Sequence, residues 1–478
     1  MIKKYLYLLL ALPLVVLSFQ SCIKDDSYGP SGNSSKLSLA QDLQEKYTLN
    51  RWDTLKITPN VVQTNKQKKV DYEWEINGKV VSTDASLKYV CKDFGSFPCR
   101  LKVSNGDNIQ YYEFGLNVQY SYVDGLYILA SNGGKTIVSY LPEAGSTKTF
   151  DLDVLQKNNP SIDFTGEPKG IDYALARDNK TPLLFVAVGS PSTIYEFDGN
   201  LMVKRFTTTC TGDVSYLRKS ALTYPKSMLT MVDHVPNRLT LSETTPFNLG
   251  KSIKDALGSD ISLADAATAW KQQDLRYVQG YVMFDNAEGR LVAQKVQATG
   301  KVPVELLKGK FTGETLVGMG AVDNERNIVL LTWNAATSKF KCYYIFPGFY
   351  PSTATKVEAA VVKDEAVVPA TAGLTTQSVV RVSAEKNLVY YSAGNKLYAY
   401  NVLSGGNFPQ NALTTFGDAG ETIADMLISE GSNKLYVATN AATGQLVGSI
   451  YCYDLNDNKL LWQKKNITGR INSITYRQ

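Results

Sequence analysis

The chain has very little histidine and no clustered cysteine, and these absences restrict the chemistry that it can perform. His234 is the single histidine among 478 residues, and the six cysteines include no Cys-x-x-Cys pair and no Cys/His set with zinc spacing. A His-Glu-x-x-His metalloprotease helix is therefore excluded, and a Ser-His-Asp or Cys-His mechanism would depend on His234. His234 follows Asp233 in a turn-like segment, which favours a structural role. The sequence thus predicts no catalytic residue, no metal site and no cofactor.

The chain also lacks a strong charge of either sign and, after its first 22 residues, any long apolar run. The 50 Lys and Arg residues nearly balance 45 Asp and Glu residues, and no basic segment stands out. Nucleic acid is therefore not an expected partner. No second segment reaches the length of a membrane-spanning helix, so the N-terminus is the expected source of a membrane anchor.

The N-terminus reads as a secretory signal over residues 1–21. Two lysines precede a mostly apolar run from Tyr5 to Phe19, and Ser21-Cys22 follows. At about 15 residues the run is too short to span a bilayer comfortably. Its end resembles the lipobox of bacterial lipoproteins, and this resemblance implies that Cys22 carries the lipid. An ordinary signal peptide that is cut nearby is the alternative.

The residues behind Cys22 carry a second resemblance. Lys24, Asp25 and Asp26 are similar to the surface-export signal of Gram-negative gut-type lipoproteins. This implies an outer-membrane lipoprotein that faces the cell surface, although the same residues could be solvated tether. Residues 22–36 are rich in Gly, Ser and Pro, and they predict a flexible tether.

Residues 37–120 predict a small β-domain. Aromatic or apolar residues alternate with polar ones from Tyr72 to Lys79, and Asn77-Gly78 marks a hairpin turn. A second alternating strand runs over 95–105, so Trp74 is expected to face a core, as in an immunoglobulin-like sandwich. Tyr72-x-Trp74 with Asn77-Gly78 and the later strand resembles the PKD domain. That resemblance implies a spacer or adhesion module.

Five cysteines remain besides Cys22. Cys91 and Cys99 flank a loop that could join two strands and bring the two thiols within disulfide range, and an exported protein permits oxidation. The sequence therefore leaves a Cys91–Cys99 disulfide open. The other three cysteines are far apart in strand-like sequence and are expected to be small buried hydrophobes.

Residues 121–478 repeat an apolar, aromatic-rich strand at a spacing of about 50 residues, which is typical of propeller blades. Each strong strand is followed by one or two further strands after a polar turn. Such units bury both faces when they stack radially, so the repeat predicts a β-propeller of seven blades, with six or eight left open. The strong strands centre on Tyr127, Phe185, Met228, Tyr281, Leu330, Tyr390 and Tyr436.

Two further features refine this fold prediction. Residues 470–477 form a strand left over after the seventh unit, which predicts that the C-terminus completes a blade and closes the ring. Residues 251–271 contain alanine-rich segments that predict one or two short helices between blades. The expected fold class is all-β, with an N-terminal PKD/immunoglobulin-like sandwich followed by a roughly seven-bladed β-propeller.

Aromatic residues in loops provide the candidate binding positions. Phe346, Phe349 and Tyr350 lie in a Pro/Gly loop after a strand, and Trp270 and Trp333 are weaker candidates. Aromatic side chains in loops stack on sugar rings or contact partner proteins, although they can also fold back to cover a blade edge.

The whole layout resembles the PKD-like surface lipoproteins associated with SusC/SusD-like TonB-dependent uptake systems. The resemblance implies an accessory subunit that binds or positions a glycan or peptide, with a TonB-dependent transporter and its SusD-like lipoprotein as partners. A propeller enzyme that degrades a polysaccharide, as a hydrolase or lyase, is one alternative. A purely structural subunit of the same complex is the other, and fold analogy does not decide between them.

Overall fold

The computed structural model of the chain describes residues 34–143, 146, 148–219, 227–249, 261–271, 278–295, 304–348, 359–417 and 420–477. These residues form two compact units, the first ending at Gln119 and the second beginning at Tyr120. In the described part of the chain, no helix is both long enough and apolar enough to cross a membrane. The predicted lipidation and export residues, Cys22, Lys24, Asp25 and Asp26, lie outside the described residues.

The first unit is a β-sandwich of nine strands. Five of them form one sheet in the order β2-β9-β8-β5-β6, and the others pair as β1 with β4 and β3 with β7. All neighbouring strands are antiparallel except β2 and β9. The strands are β1 (Leu37–Leu39), β2 (Lys46–Asn50), β3 (Thr54–Ile57), β4 (Val61–Gln63), β5 (Asp71–Ile76), β6 (Lys79–Ser82), β7 (Leu87–Val90), β8 (Gly95–Ser104) and β9 (Ile109–Gln119).

Trp74 lies at the centre of the sandwich core, as the alternation in its strand predicts. Its side chain is fully buried, and the indole Nε1 donates a hydrogen bond of 2.8 Å to the Asp84 carbonyl oxygen. The ring meets that of Phe114 edge to face, with centroids 6.3 Å apart. The predicted turn at Asn77-Gly78 joins β5 to β6, and both residues have positive φ. A type I′ turn requires this backbone, which explains the Asn-Gly pair.

The described residues of the second unit form seven antiparallel sheets, which are the blades of the predicted propeller. Blade 1 contains β10 (Gly125–Asn132), β11 (Lys135–Pro142) and β35 (Arg470–Arg477); blade 2 contains β12 (Pro168–Leu175), β13 (Pro182–Val188), β14 (Thr193–Asp198) and β15 (Lys204–Thr209). Blade 3 contains β16 (Val214–Lys219), β17 (Ser227–Val232) and β18 (Val235–Thr240); blade 4 contains β19 (Leu263–Lys271), β20 (Val278–Asp285), β21 (Arg290–Lys295) and β22 (Val304–Leu306).

The remaining blades have four strands each. Blade 5 contains β23 (Glu314–Val322), β24 (Asn327–Asn334), β25 (Lys339–Phe346) and β26 (Val361–Val368). Blade 6 contains β27 (Val380–Ser383), β28 (Leu388–Ala393), β29 (Lys396–Asn401) and β30 (Thr414–Thr415), and blade 7 contains β31 (Thr422–Ser429), β32 (Lys434–Asn440), β33 (Gly448–Asp454) and β34 (Leu460–Thr468). One short helix, α1 (Val154–Asn158), precedes blade 2, and Asp153 caps its N-terminus by accepting from two backbone amides.

The C-terminal strand closes the ring, as the leftover strand in the sequence predicts. Strand β35 pairs antiparallel with β10, the first strand of the propeller. It also contacts β12 and β31, the first strands of blades 2 and 7. The innermost ring of strands is therefore β35, β12, β16, β19, β23, β27 and β31, which together enclose the central channel.

The strong strands of the sequence all occupy the second position of their blades. These strands, β10, β13, β17, β20, β24, β28 and β32, lie between an inner and an outer neighbour. Every residue of β13 is buried, because both of its faces pack against adjoining blades. Such strands read as continuous apolar runs rather than as alternating patterns, which is why they dominate the sequence signal.

The helices predicted over residues 251–271 are wrong where the structure describes this segment. Residues 263–271 form β19, the inner strand of blade 4, and residues 251–260 lie outside the described residues. Leu263 pairs with Asp285, and Trp270 pairs with Gly280. Pairing with β20 overrides the helical preference of the alanines in this segment, since tertiary contacts outweigh intrinsic propensity.

Candidate functional site

A β-bulge recurs near the beginning of several inner strands and directs side chains around the channel. A bulge inserts an extra residue and re-aims the side chains that follow it. Tyr216 and Asp425 come directly after two of these bulges, and Arg218 lies two residues beyond Tyr216. The register shifts fall between Pro168 and Gly170 in β12, Val214 and Tyr216 in β16, Leu316 and Gly318 in β23, and Ile423 and Asp425 in β31.

The carboxylate of Asp425 connects its own inner strand, β31, with three other inner strands, β16, β27 and β35. Its Oδ2 accepts from Arg218 Nη2 at 3.2 Å, from Ser473 Oγ at 2.9 Å and from the Ile474 backbone amide at 2.9 Å. Its Oδ1 accepts from Arg381 Nη2. The four partners belong to blades 3, 6 and 1, while Asp425 belongs to blade 7. A single buried side chain therefore connects the blades on either side of the ring closure with a blade across the channel.

Asp425 is charged in this environment. Burial by itself disfavours the carboxylate, but the guanidinium groups of Arg381 and Arg218 and the hydrogen bonds from Ile474 and Ser473 hold its pKa below the usual range. The pKa of Arg218 is raised: burial acts against its charge, and the carboxylates of Asp425 and Asp172 outweigh that effect. The ion pairs are therefore formed at neutral pH.

A second carboxylate completes the charge balance of the channel. Asp172 is buried, and its Oδ1 accepts from Thr475 Oγ1 at 2.6 Å and from the Tyr173 backbone amide at 2.8 Å. Two guanidinium groups and two carboxylates have no net charge. We call this set the channel network, defined by Asp172, Arg218, Arg381, Asp425, Ser473 and Thr475.

The channel network can stabilise the ring and offers little free binding capacity. The side chains of Arg218 and Arg381 are 24% and 36% exposed, so both reach solvent in the channel. Arg381 also donates from Nε to the Met426 carbonyl oxygen at 2.9 Å and from Nη1 to the Val380 carbonyl oxygen at 2.8 Å. Burial raises the pKa of neighbouring Tyr216 to about 12, so this phenol is neutral at physiological pH.

A polar cavity of about 410 Å³ opens at the end of the propeller where the inner strands begin, which we call the N-terminal face. His234, Asp265, Asn286 and Leu316 line it, from blades 3, 4 and 5. The Nδ1 atom of His234 lies 2.9 Å from Asp265 Oδ1, and the two side chains are 55% and 39% exposed. The turn predicted at His234 is confirmed, but nothing in the sequence indicated that the distant Asp265 is the partner of its imidazole.

The aromatic candidates from the sequence do not form one site. Trp270 is fully buried, and its Nε1 donates to the Gly348 carbonyl oxygen at 3.3 Å, so its prediction as a binding surface is wrong. Trp333 is half-buried and packs on Phe340 with ring centroids 4.4 Å apart. Phe346 is half-buried at the end of β25, with Lys363 Nζ 5.5 Å above its ring. Phe349 and Tyr350 lie outside the described residues.

The structure does not contain the Cys91–Cys99 disulfide that the spacing left open. Both residues are free thiols, buried in the core cluster of the sandwich. Cys99 lies in the middle of β8, whereas Cys91 follows β7 in the other layer, so the exposed residues 92–94 connect two layers rather than forming a tight hairpin within one sheet. Burial raises the pKa of both thiols, that of Cys99 to about 11, so neither is a ready nucleophile.

Metal binding finds no support in the described part of the chain, where no three His, Cys, Asp or Glu side chains are grouped to hold an ion. The Asp-rich turn of blade 7 uses its oxygens locally. Asp454 Oδ1 accepts from the Asn456 amide at 2.7 Å, and Asp457 Oδ1 accepts from the Lys459 amide at 3.0 Å. These are the backbone contacts by which Asp stabilises hairpin turns.

Sequence reasoning missed the channel network because its members are scattered over several hundred residues. Arg218 and Ser473, which are hydrogen-bonded at 2.9 Å, are separated by 255 positions. One local signal was present: Asp425 is the single charged residue in the otherwise apolar segment from Ile423 to Ile428. A carboxylate in such a strand requires a partner, since buried charges are compensated in folded proteins.

Comparison with known proteins identifies the first unit and no more of the chain. Residues 36–105 match the PKD-like domain family, and no curated protein matches the sequence. A solved structure of a quinonprotein alcohol dehydrogenase-like protein from Bacteroides thetaiotaomicron is 15% identical, with a TM-score of 0.49 over 92% of this chain and 99% of that one.

Two other solved structures are similar at lower identity. A functionally unknown protein from Desulfotomaculum acetoxidans is 12% identical, with a TM-score of 0.43 over 74% of this chain and 100% of that one. The Cps50 (Swd1) β-propeller domain of Myceliophteria thermophila is 10% identical, with a TM-score of 0.37 over 63% of this chain and 86% of that one. The family match gives the chain a PKD-like domain at residues 36–105, and the chain's own ring of sheets is the β-propeller that follows it.

Proposed function

We propose that this protein is a lipid-anchored accessory subunit of an outer-membrane uptake system, facing the cell surface. It binds or positions a glycan or peptide, or the partner subunits that import it, and it is not an enzyme. The observation that carries the proposal is the order of segments: Cys22 with its acidic pair Asp25 and Asp26, a tether, a PKD-like domain and a propeller. Lipid at Cys22 would hold the folded units a short distance from the membrane.

The propeller chemistry supports a binding role over catalysis. The charged groups in the channel compensate one another, and the phenol and thiol groups with shifted pKa values are all shifted toward the protonated form. A catalytic site instead needs a base or nucleophile that is held near its working pH and is open to substrate. Burial raises the pKa of Glu196 to about 7, but its side chain is fully buried in blade 2. The N-terminal face offers a cavity with polar walls, which suits recognition of a small neutral group.

The proposal names a TonB-dependent transporter and its SusD-like lipoprotein as partners. The test is an affinity pull-down from detergent-solubilised outer membranes with a C-terminally tagged full-length chain. Recovery of both partners in stoichiometric amounts is the expected result. The matched control is Cys22→Ala, which removes the lipid acceptor and is expected to leave the membrane fraction.

Recovery of the chain alone, with its lipid intact, would contradict the accessory-subunit proposal. Unchanged membrane attachment of Cys22→Ala would contradict the anchor.

One observation favours a polysaccharide hydrolase or lyase as a second candidate. His234 and Asp265 form an exposed imidazole–carboxylate pair in a cavity, which is an arrangement that general acid–base catalysis also uses. Release of reducing ends or unsaturated sugars from polysaccharides by the purified chain, abolished in His234→Gln, would establish this candidate.

A chain that binds the partners but neither binds nor cleaves glycans would be the structural subunit.

A further inference from the structure

The cavity on the N-terminal face brings together hydrogen-bonding groups from three blades. His234 comes from the β17–β18 turn of blade 3, and Ser262 and Asp265 come from the beginning of blade 4. Asn286 follows β20, and its Oδ1 accepts from the Leu316 amide at 3.0 Å, which orients its amide nitrogen as a donor. Donors and acceptors therefore face the same space of about 410 Å³, which is within the range of small-molecule sites.

The remaining wall is aliphatic. The half-buried side chains of Leu316 and Val317 line one side of the cavity. Among its described lining residues there is no lysine or arginine, and the imidazole of His234 is the single aromatic ring. A phosphate, sulfate or carboxylate ligand would therefore meet the Asp265 carboxylate with no lysine or arginine of these residues to compensate it, and a flat aromatic ligand would find only the His234 ring, already held by Asp265, to stack on.

His234 occupies a backbone position at which glycine is normally more stable. Asp233 and His234 are the two central residues of the β17–β18 hairpin, with φ of 49° and 61°. Two other described hairpins of this chain with the same two-residue loop and positive φ at both positions place Gly78 and Gly134 where His234 lies. A side chain in this region costs free energy, so the imidazole is retained against a local preference.

The turn also fixes the direction of the imidazole. Asp233 Oδ1 accepts from the Asp213 amide at 2.9 Å, which holds the turn against the beginning of blade 3. The Asp265 carboxylate then holds His234 Nδ1. One ring nitrogen is thereby engaged, and the other has no hydrogen-bond partner among the described residues, so it is open to a ligand.

We propose that this cavity binds a short stretch of neutral glycan, with His234, Asp265 and Asn286 as the hydrogen-bonding groups and Leu316 and Val317 against the apolar face of a sugar ring. This rests on the proposed function and narrows its glycan-or-peptide ligand to an uncharged glycan. Sugar hydroxyls both donate and accept, so they match a carboxylate, an imidazole and an amide in one site.

The test is isothermal titration calorimetry of the purified, detergent-solubilised full-length chain. The probes are cello-, malto-, manno- and galacto-oligosaccharides, with oligogalacturonate as the acidic probe and chitosan oligomers as the cationic one. The expected result is saturable binding of at least one neutral series and none of the charged probes. No binding of any neutral series, or preference for a charged probe, would overturn the proposal.

Variants locate the binding. His234→Gly and Asp265→Asn are each expected to weaken binding at least tenfold, while Asp457→Asn, in an exposed turn of blade 7, leaves it unchanged. The thermal midpoint of His234→Gly is expected to be no lower than that of the parent, because glycine suits the turn, which separates lost binding from misfolding. Equal binding by both variants and the parent would place the ligand elsewhere and overturn the proposal.

The assay needs no partner protein, so its outcome is independent of the pull-down. A chain that recovers the transporter but binds no neutral glycan contradicts the cavity proposal alone. A chain that binds glycan through His234 but recovers no transporter contradicts the accessory-subunit proposal alone.

Discussion

The two compact units differ in the polar side chains that they bury. Among the described residues, the buried polar side chains of the PKD-like unit are Ser35, Asn50 and Asn105, and none is charged. Every buried Asp, Glu or Arg side chain of the described residues belongs to the propeller: Asp172, Glu196, Asp285, Arg290, Glu314, Asp425 and Arg477.

This difference follows from architecture. A sandwich turns one face of each sheet to a closed core and the other to solvent, so charge is placed outside. A propeller has an inner ring of short strands around a channel and many blade contacts around it. Charged residues are tolerated there because partners from several blades converge on them, as on Asp425. Charge thus becomes part of how the ring is held together.

Asp425→Ala is the change with the largest expected effect. It leaves Arg218 and Arg381 without their shared carboxylate and the Ile474 amide without its acceptor, and removing one partner of a buried ion pair costs about 3–5 kcal/mol. The measurement is the free energy of unfolding of the propeller in urea. A loss below about 1 kcal/mol would show that the channel network contributes little to ring closure.

Trp74→Ala tests the apolar core of the other unit. The fully buried indole packs on Phe114 and donates to Asp84, and truncation of such a side chain costs about 3–5 kcal/mol. We expect the unfolding transition of the PKD-like unit to move to lower urea while that of the propeller remains in place. Near-ultraviolet circular dichroism, which reports ordered aromatic side chains, follows unfolding during the urea titration. Equal shifts of both transitions would contradict the prediction that the two cores are independent.

Glu196→Gln tests the cost of a buried charge in blade 2. Burial raises the pKa of Glu196 to about 7, and the Arg205 guanidinium 3.3 Å away counteracts this only in part. The folded state holds the proton between the ordinary pKa of 4.5 and about 7, while the unfolded state releases it, so stability falls as pH rises through this window. Over this window the free energy of unfolding of the parent is expected to fall by about 3 kcal/mol.

The glutamine variant cannot ionise and is expected to lose this part of the pH dependence. Unfolding in urea at pH 5 and pH 8 measures it, with the exposed-turn variant Asp457→Asn as the control. An unchanged difference between the two pH values would assign the dependence to another group.

Glu75→Ala has the smallest expected effect. Glu75 accepts from Arg100 Nη2 at 2.8 Å on the open face of the sandwich sheet, where the Arg100 side chain is 43% exposed. Such surface pairs contribute about 0–1 kcal/mol, and salt screens them. The measurement is the free energy of unfolding in the same urea titration. A decrease as large as that of Asp425→Ala would show that charged pairs stabilise the PKD-like unit as strongly as they stabilise the propeller.

The sequence predicted the fold better than the site. The second strand of each blade was visible because it is apolar on both faces, and the closing strand was visible as a remainder at the C-terminus. Strand β19 was mistaken for helix because its alanines favour helix locally and only the pairing with β20 makes it a strand. Trp270 was mistaken for a binding residue because a tryptophan near a loop gives no sign of what packs over it.

The site residues were harder because their contacts are long-range. His234 and Asp265 are 31 positions apart, and Arg218 reaches Asp425 across 207 positions. Sequence spacing encodes only neighbours within a strand or a hairpin, so it showed Asp233 beside His234 and did not indicate Asp265. The positive φ of His234, which marks it as unusual, is a property of the folded turn.

By itself, the sequence determined the all-β class, the PKD-like segment, the period of the blades and the strand that closes them. Each of these depends on local alternation, turn residues or apolar runs, which a linear chain displays directly. Only the tertiary structure decided which charges meet in the channel, which aromatics are buried and which residues share the cavity on the N-terminal face. Those contacts arise when seven blades converge, and the chain order of the blades does not reveal which side chains will meet.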